Sequence, residues 1–505
     1  MTAADPAVDP AAGRAADRAL PDDPDEFLAL LRAEVGRAGT PQPARDPVNL
    51  STIRAWCDAI SDNNPLYIDA DAAADGPHGE VVAPPAMLNV WTMAGLMSGA
   101  PIPRDPNEPR GKAYELLDRA GFPGVVAVNS DLTFDRYLRL GEHITATTRL
   151  VDVSEEKTTR LGVGHFVTTE AEFVDAAGDR VGALNFKVLR YRPQALDVVA
   201  DAASAVDASA AREKPAERPP RPRPKFNQDQ AWFWEGLRQR ELRIQRFTDD
   251  GSLVHPPASC NPKTQHFDYD WVVASGKATL YSHTVVHYPQ VPSFDYPHIV
   301  GLVELEEGVR LVTTIVGCRP EQLEIGMPLE LDFVDTADDV TLHQFHPARP
   351  VRSETAPDSV AVGERLPLCP IPIDTLLVVS TAIATRDYQE VHHDLAIAQS
   401  RGSIDIFMNI LTTSGLVQRW IGDWAGNDVL FKELKIGLGV PNHPGDIMTM
   451  SGAVSAVADN GTITIGYVGR NALGAHVTGS ADIALPGSEA HAAVLAASAE
   501  KGDRS

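Results

Sequence analysis

Four cysteines in 505 residues, Cys57, Cys260, Cys318 and Cys369, form no CxxC pair. Their scarcity and spacing exclude a thioredoxin-like redox motif and leave no framework for a disulfide-stapled secreted fold. A reduced, cytoplasmic chain is the expectation. Basic residues are also few: 44 Lys and Arg face 69 Asp and Glu, a net charge of −25. Nucleic acid is held by clustered Lys and Arg, so it is not an expected partner. No stretch approaches the roughly 18–20 continuous apolar residues of a membrane helix, so no membrane partner is expected either. Residues 1–24 are rich in Ala, Asp and Pro and lack a basic segment followed by an apolar one. They read as a disordered tail and not as a secretory signal.

The length suits about three domains at ~100–200 residues each. The stretch richest in chemistry is Arg386-Asp387-Tyr388-Gln389-Glu390-Val391-His392-His393-Asp394, between an apolar run, Thr375 to Ala384, and a helical run, Ile404 to Ile421. Asp387 and His392 are five residues apart, a spacing at which a turn can aim both side chains into one pocket. A carboxylate and an imidazole so placed can hold and activate a water. On the pair alone, a solvated loop with a chance Asp and His is the competing reading. The pattern occurs twice, however. Asp62-Asn63-Asn64-Pro65-Leu66-Tyr67 keeps the spacing after another helical run, Ser51 to Ile60, with Tyr67 in place of the histidine.

Asp-x4-His followed by a long apolar helix resembles the MaoC-like (R)-specific enoyl-CoA hydratases, whose motif runs Asp-x-Asn-Pro-apolar-His. The C-terminal copy keeps Asp387 and His392 without the Asn-Pro; the N-terminal copy keeps Asn64-Pro65 without the His. Phe431 to Lys435 and Pro441-x-x-Pro444-Gly445-Asp446 look like that family's strand pair and its turn. Val82 to Leu88 and Phe134 to Glu142 parallel these features in the first half. The resemblance implies two hotdog domains, residues 25–193 and 366–486. The first is expected to be non-catalytic and to lack the long helix, because Gly99, Pro101, Pro103, Pro106 and Pro109 interrupt it. It further implies that backbone N–H groups of Ile406, Phe407, Met408 and Asn409 polarise a thioester oxygen, and that Lys432 and Lys435 meet CoA phosphates. Residues 487–505 read as a flexible tail.

Residues 194–224, rich first in Ala, Asp and Ser and then in Pro, form a linker. The middle segment, 225–345, opens with a short helix bearing Trp232, Phe233 and Trp234, and continues with strand-like runs whose number and spacing fit a small barrel. Together with Trp271 to Ser282 and Ile325 to Leu329, it resembles the zinc-ribbon-plus-OB-fold domain that accompanies thiolases and acyl-CoA enzymes. The ribbon is degenerate. Arg243 and Arg246 stand where the first knuckle falls, and His255, Cys260 and His266 supply three ligands at most, so no metal is expected. The fold class is therefore α+β: a double hotdog with a small all-β OB-fold domain between the hotdogs.

This domain order looks like that of hydratases of bacterial steroid side-chain degradation. It implies hydration of a 2-enoyl-CoA to a 3-hydroxyacyl-CoA by Asp387 and His392, without a cofactor. A thiolase-like aldolase would dock on the middle domain, with the aromatic helix as its anchor, and a homo-oligomer is expected. An ordinary fatty enoyl-CoA hydratase is the alternative among enzymes. A catalytically silent acyl-CoA-binding scaffold is the alternative outside them.

Overall fold

The computed structural model describes residues 20–97, 100–101, 108–159, 162–193 and 219–502, apart from positions 22, 220, 226, 338, 351, 353 and 354. Most of the N-terminal tail and of the linker expected over 194–224 lies outside these residues.

The two sequence copies fold into the same local structure. Asn49 caps the helix Leu50–Ile60 by accepting from Thr52 N–H at 2.9 Å, and Asp374 caps the helix Thr375–Ala384 by accepting from Leu377 N–H at 2.7 Å. Each helix is closed by a residue in the left-handed region, Ser61 (φ 55°) and Arg386 (φ 58°). The next N–H in each case reaches back five residues: Asp62 to the Cys57 carbonyl at 2.8 Å, and Asp387 to that of Ala382 at 3.0 Å. The turn that ejects the motif carboxylate is thus built identically in both halves.

Both halves share one antiparallel sheet. On the N-terminal side its strands run Thr145–Val153, Gly162–Val174, Arg180–Pro193 and Gly124–Phe134. On the C-terminal side they run Leu430–Leu438, Gly474–Ala484, Thr462–Asn471, Asp446–Val457 and Arg365–Ile373. The halves join where Gly124–Phe134 pairs with Leu430–Leu438, Leu132 opposite Leu434 and Ser130 opposite Ile436. The strands on either side of the Pro441–Asp446 turn are not partners, as the motif had suggested; two strands separate them.

A single core spans both halves. At its centre lies the helix Ile410–Ala425, buried at every position except Leu411. It starts later than the apolar pattern predicts, because Asn409 caps it by accepting from Thr412 N–H at 2.8 Å, and residues 404–409 form a loop. Its Gly415 is required by packing: a Cβ there would sit 2.5 Å from Trp56 Cζ2 of the N-terminal half. Among its described residues the first half has no such helix at the matching place. After Val82, Pro85–Met87 and Val90–Thr92 are single 3-10 turns, and the next α-helix is Pro109–Arg119, with Pro109 in the first turn where its missing N–H costs nothing.

The middle domain is a closed five-stranded barrel, Lys277–Val286, His298–Leu305, Arg310–Ile315, Val340–Pro347 and Pro328–Ala337 in spatial order, beside a three-stranded ribbon. Helix Ala231–Arg238 packs its rings against its own domain to different depths. Phe233 and Leu237 are buried in the barrel core, Trp234 packs on that core, and Trp232 stacks on Trp271 with centroids 5.7 Å apart. The expected C-terminal tail is also corrected. Glu489–Gly502 is a helix, with Ala490 and Val494 in the main core and His491 Nε2 donating to the Asp428 carbonyl at 2.9 Å. Its alanine-rich sequence forms helix readily but gives little apolar pattern to detect.

Candidate active site

Asp387 and His392 meet at the end of helix Thr375–Ala384. The His392 Nε2 to Asp387 Oδ2 distance is 3.5 Å, and both side chains are largely buried. The other ring nitrogen, Nδ1, lies 2.6 Å from the Phe407 carbonyl. A carbonyl only accepts, so in the neutral ring Nδ1 carries the hydrogen and Nε2 is left with a lone pair facing Asp387. A gap of 3.5 Å is long for a direct bond, and one water oxygen can bond to both groups. The loop 404–409, which supplies that carbonyl, leads into helix Ile410–Ala425.

The expected oxyanion donors need correction. Ile406 N–H donates to Asp405 Oδ1 at 2.7 Å, Phe407 N–H to the Val391 carbonyl at 3.3 Å and Met408 N–H to the Asn442 carbonyl at 3.1 Å. Of the four predicted groups only Asn409 N–H has no partner among the described residues, and the first helical N–H groups, Ile410 and Leu411, join it at the positive end of the helix. Both predicted lysines have partners within the protein. Lys432 Nζ donates to Thr462 Oγ1 at 3.0 Å, and Lys435 Nζ pairs with Glu433 at 2.8 Å, with Asp131 and Asp482 nearby.

The N-terminal copy has the same backbone and different chemistry. Asp62 is buried and takes a bond from Arg352 Nη2 at 2.8 Å; Arg352 also reaches Asp423 on the long helix at 3.0 Å. Arg349 pairs with Asp423 at 3.3 Å and donates to the Ser61 carbonyl at 2.8 Å. Burial pushes the Asp62 carboxyl above its ordinary range, and Arg352 opposes that shift. Tyr67 is buried and its phenol is held well above 10 by desolvation, so it is not a base near neutral pH. The donor position that would answer an oxyanion is also filled: Ala86 N–H donates to Gln418 Oε1 at 2.8 Å. Arg349, Arg352 and Gln418 belong to no motif, and nothing in the sequence pointed to them.

In the ribbon, Arg243 and Arg246 pair with Glu241 and Asp270, at 2.6 and 2.5 Å, and His266 lies 3.6 Å from Asp268. Among the described residues no three His, Cys, Asp or Glu side chains converge as metal ligands, and no helix is long and apolar enough to cross a membrane.

A double hotdog with a facing Asp–His pair in one half and Asp–Tyr at the same place in the other has the form of a MaoC-like hydratase. Family models agree: "FAS1-like, dehydratase domain region" matches residues 33–183, and "ChsH2, C-terminal OB-fold domain" matches residues 271–334. The chain is 40% identical over 311 residues to the 3-oxo-4,17-pregnadiene-20-carboxyl-CoA hydratase alpha subunit of Mycobacterium tuberculosis, covering 61% of this chain and 93% of that one. It is 51% identical over 124 residues to the beta subunit of the same enzyme, covering 25% and 95%. The chain belongs to the family of these hydratase subunits. Among solved structures, an "Ltp2-ChsH2(DUF35) aldolase" is 46% identical over 25% of this chain and 98% of that one, with a TM-score of 0.24.

Proposed function

We propose that this chain is a cytoplasmic enoyl-CoA hydratase that adds water to the side-chain thioester of a steroid 2-enoyl-CoA. The observation that carries the reading is the Asp387–His392 pair, 3.5 Å apart, with the histidine tautomer fixed by Phe407. A water held between them loses a proton as its oxygen bonds to the β-carbon of the enoyl group. A proton returns to the α-carbon from the same pair, on the same face. The thioester oxygen gathers charge in between, and the N–H groups of Asn409, Ile410 and Leu411 are the donors suited to it. Such donors typically contribute ~10²–10³ in rate. The Tyr67 copy supplies a wall and no chemistry.

The missing helix in the first hotdog supports a bulky acyl group. Where the second hotdog has sixteen helical residues, the described residues of the first have two single turns, a difference that in this reading makes room for a ring system. The product carries the β-hydroxyl that a retro-aldol cleavage requires. The middle domain, which matches the ChsH2 OB-fold model, would hold a thiolase-like aldolase that performs this step. Hydration of a steroid side-chain enoyl-CoA and of crotonyl-CoA by the purified chain tests the reading. A higher kcat/KM on the steroid thioester is expected. A preference for crotonyl-CoA would favour a fatty-acid hydratase, and no hydration of either would leave a binding scaffold.

A further inference from the structure

The turn Pro441–Asp446 contains a buried histidine that the reaction above does not use. His443 Nδ1 lies 2.9 Å from the Ile406 carbonyl, so that nitrogen carries a hydrogen and donates it. Ile406 immediately precedes Phe407, whose carbonyl receives His392 Nδ1–H at 2.6 Å. The Phe407 ring stands edge-on to both imidazoles, with centroids 5.2 Å from His392 and 6.3 Å from His443. The same turn holds the loop a second time, through Met408 N–H to the Asn442 carbonyl at 3.1 Å.

The turn is itself anchored to the sheet. Gly445 N–H donates to the Ile373 carbonyl at 2.7 Å, His443 N–H donates to Asp446 Oδ2 at 2.8 Å, and Asn471 Nδ2 donates to the Pro441 carbonyl at 2.8 Å. A continuous path therefore runs from rigid strands through His443 to the carbonyl that orients His392.

The silent half provides an internal comparison. Ala83 N–H to the Leu138 carbonyl, at 2.8 Å, repeats the Met408–Asn442 bond, which aligns Arg139 with His443. Arg139 ties the matching loop differently, by a side-chain ion pair to Glu80 at 3.3 Å and a backbone bridge to Val82, with no side-chain bond to a loop carbonyl among the described residues. Where His392 has become Tyr67, the imidazole-to-carbonyl bond has been replaced by a surface ion pair.

We infer that His443 is a positioning residue for His392, acting through the Ile406–Phe407 backbone. The inference rests on the hydratase reading only for its kinetic consequence. His443→Asn keeps an N–H near the Nδ1 position, His443→Gln moves it toward Nε2, and His443→Ala removes it. In the full chain, the Ala and Gln variants are expected to lower kcat on an enoyl-CoA by about 10–100-fold with KM changed less than about threefold, the scale of a misplaced reacting group. The Asn variant is expected to stay within about threefold in kcat, on the same reasoning. Nitrogen-15 spectra, with the His392 signal assigned by His392→Ala, should show the Nδ1–H tautomer in the wild type and the Asn variant and a mixture in the other two. Equal loss in all three variants would assign His443 to packing alone. Unchanged kcat and an unchanged His392 tautomer in the Ala and Gln variants would overturn the inference. If the wild type hydrates no enoyl-CoA, the functional reading fails, and the tautomer still decides the role of His443.

Discussion

At Asp62 the group that meets the motif carboxylate is the guanidinium of Arg352, 2.8 Å away, where the other half has an imidazole 3.5 Å from Asp387. Arg352 also neutralises Asp423, and both carboxylates are almost wholly buried. Removing one partner of a buried ion pair costs far more than the pair itself contributes, because a charge is left in a medium that cannot solvate it. Arg352→Ala is therefore expected to lower stability by roughly 3–5 kcal/mol in chemical denaturation, with the Asp387–His392 site left chemically intact. A loss of under about 1 kcal/mol would mean water reaches these carboxylates. The pairing of Asp387 with His392 was legible in the sequence because their spacing is fixed by one local turn. Arg352 was not, because it lies 290 residues from Asp62 and no periodicity links them.

At the scale of elements, the helix Ile410–Ala425 shows two effects in competition. Replacing a mid-helix glycine with alanine normally gains up to about 1 kcal/mol. At Gly415 the new methyl would lie 2.5 Å from the Trp56 ring, within a core that cannot shift freely. Overpacking costs about 1–3 kcal/mol, so Gly415→Ala should lower the thermal midpoint. A rise would show that helix Leu50–Ile60 can move away. The barrel makes a second prediction. Burial lowers His255 and His343 from the ordinary 6.5 to about 4. The unfolded chain therefore binds more protons than the folded one between these values. The stabilisation from neutral rings is complete above pH 6.5 and is lost as pH falls toward 4. Denaturation of the full chain should occur at lower denaturant as pH drops from about 7 to about 5, and less so in a His255→Gln, His343→Gln double variant. Equal slopes would remove these two rings as the cause.

Sequence reading was sound for these elements wherever alternation or helical spacing met one buried face, as in the barrel strands. It failed at the start of the long helix. The start of Ile410–Ala425 depends on Asn409 acting as a cap, and apolar spacing continued through Ile404, which is exposed, and Ile406, which a loop buries. The stacking of Trp232 on Trp271 was not legible either, because the two lie 39 positions apart and no periodicity links them.

For the whole molecule, the joint between Gly124–Phe134 and Leu430–Leu438 makes the two halves one sheet over one core. The halves should stay together when the covalent link is cut. A protease site placed within residues 200–215 and cleaved after purification is expected to give two fragments that co-elute in size exclusion and keep hydratase activity. Separation of the fragments would mean that the linker, and not the interface, holds the hotdogs in register. The asymmetry between the halves is the larger claim, since the same backbone turn ends in His392 in one and in Tyr67 in the other. Its most direct measurement is hydration of a 2-enoyl-CoA by four forms of the full chain: wild type, Asp387→Asn, His392→Ala and Tyr67→Phe. The first two variants are expected to fall by roughly 10²-fold or more in kcat, the usual scale for a positioned acid or base, while Tyr67→Phe keeps most of the rate. Near-native rates in folded Asp387→Asn and His392→Ala, or a loss in Tyr67→Phe as deep as theirs, would contradict catalysis by the C-terminal hotdog.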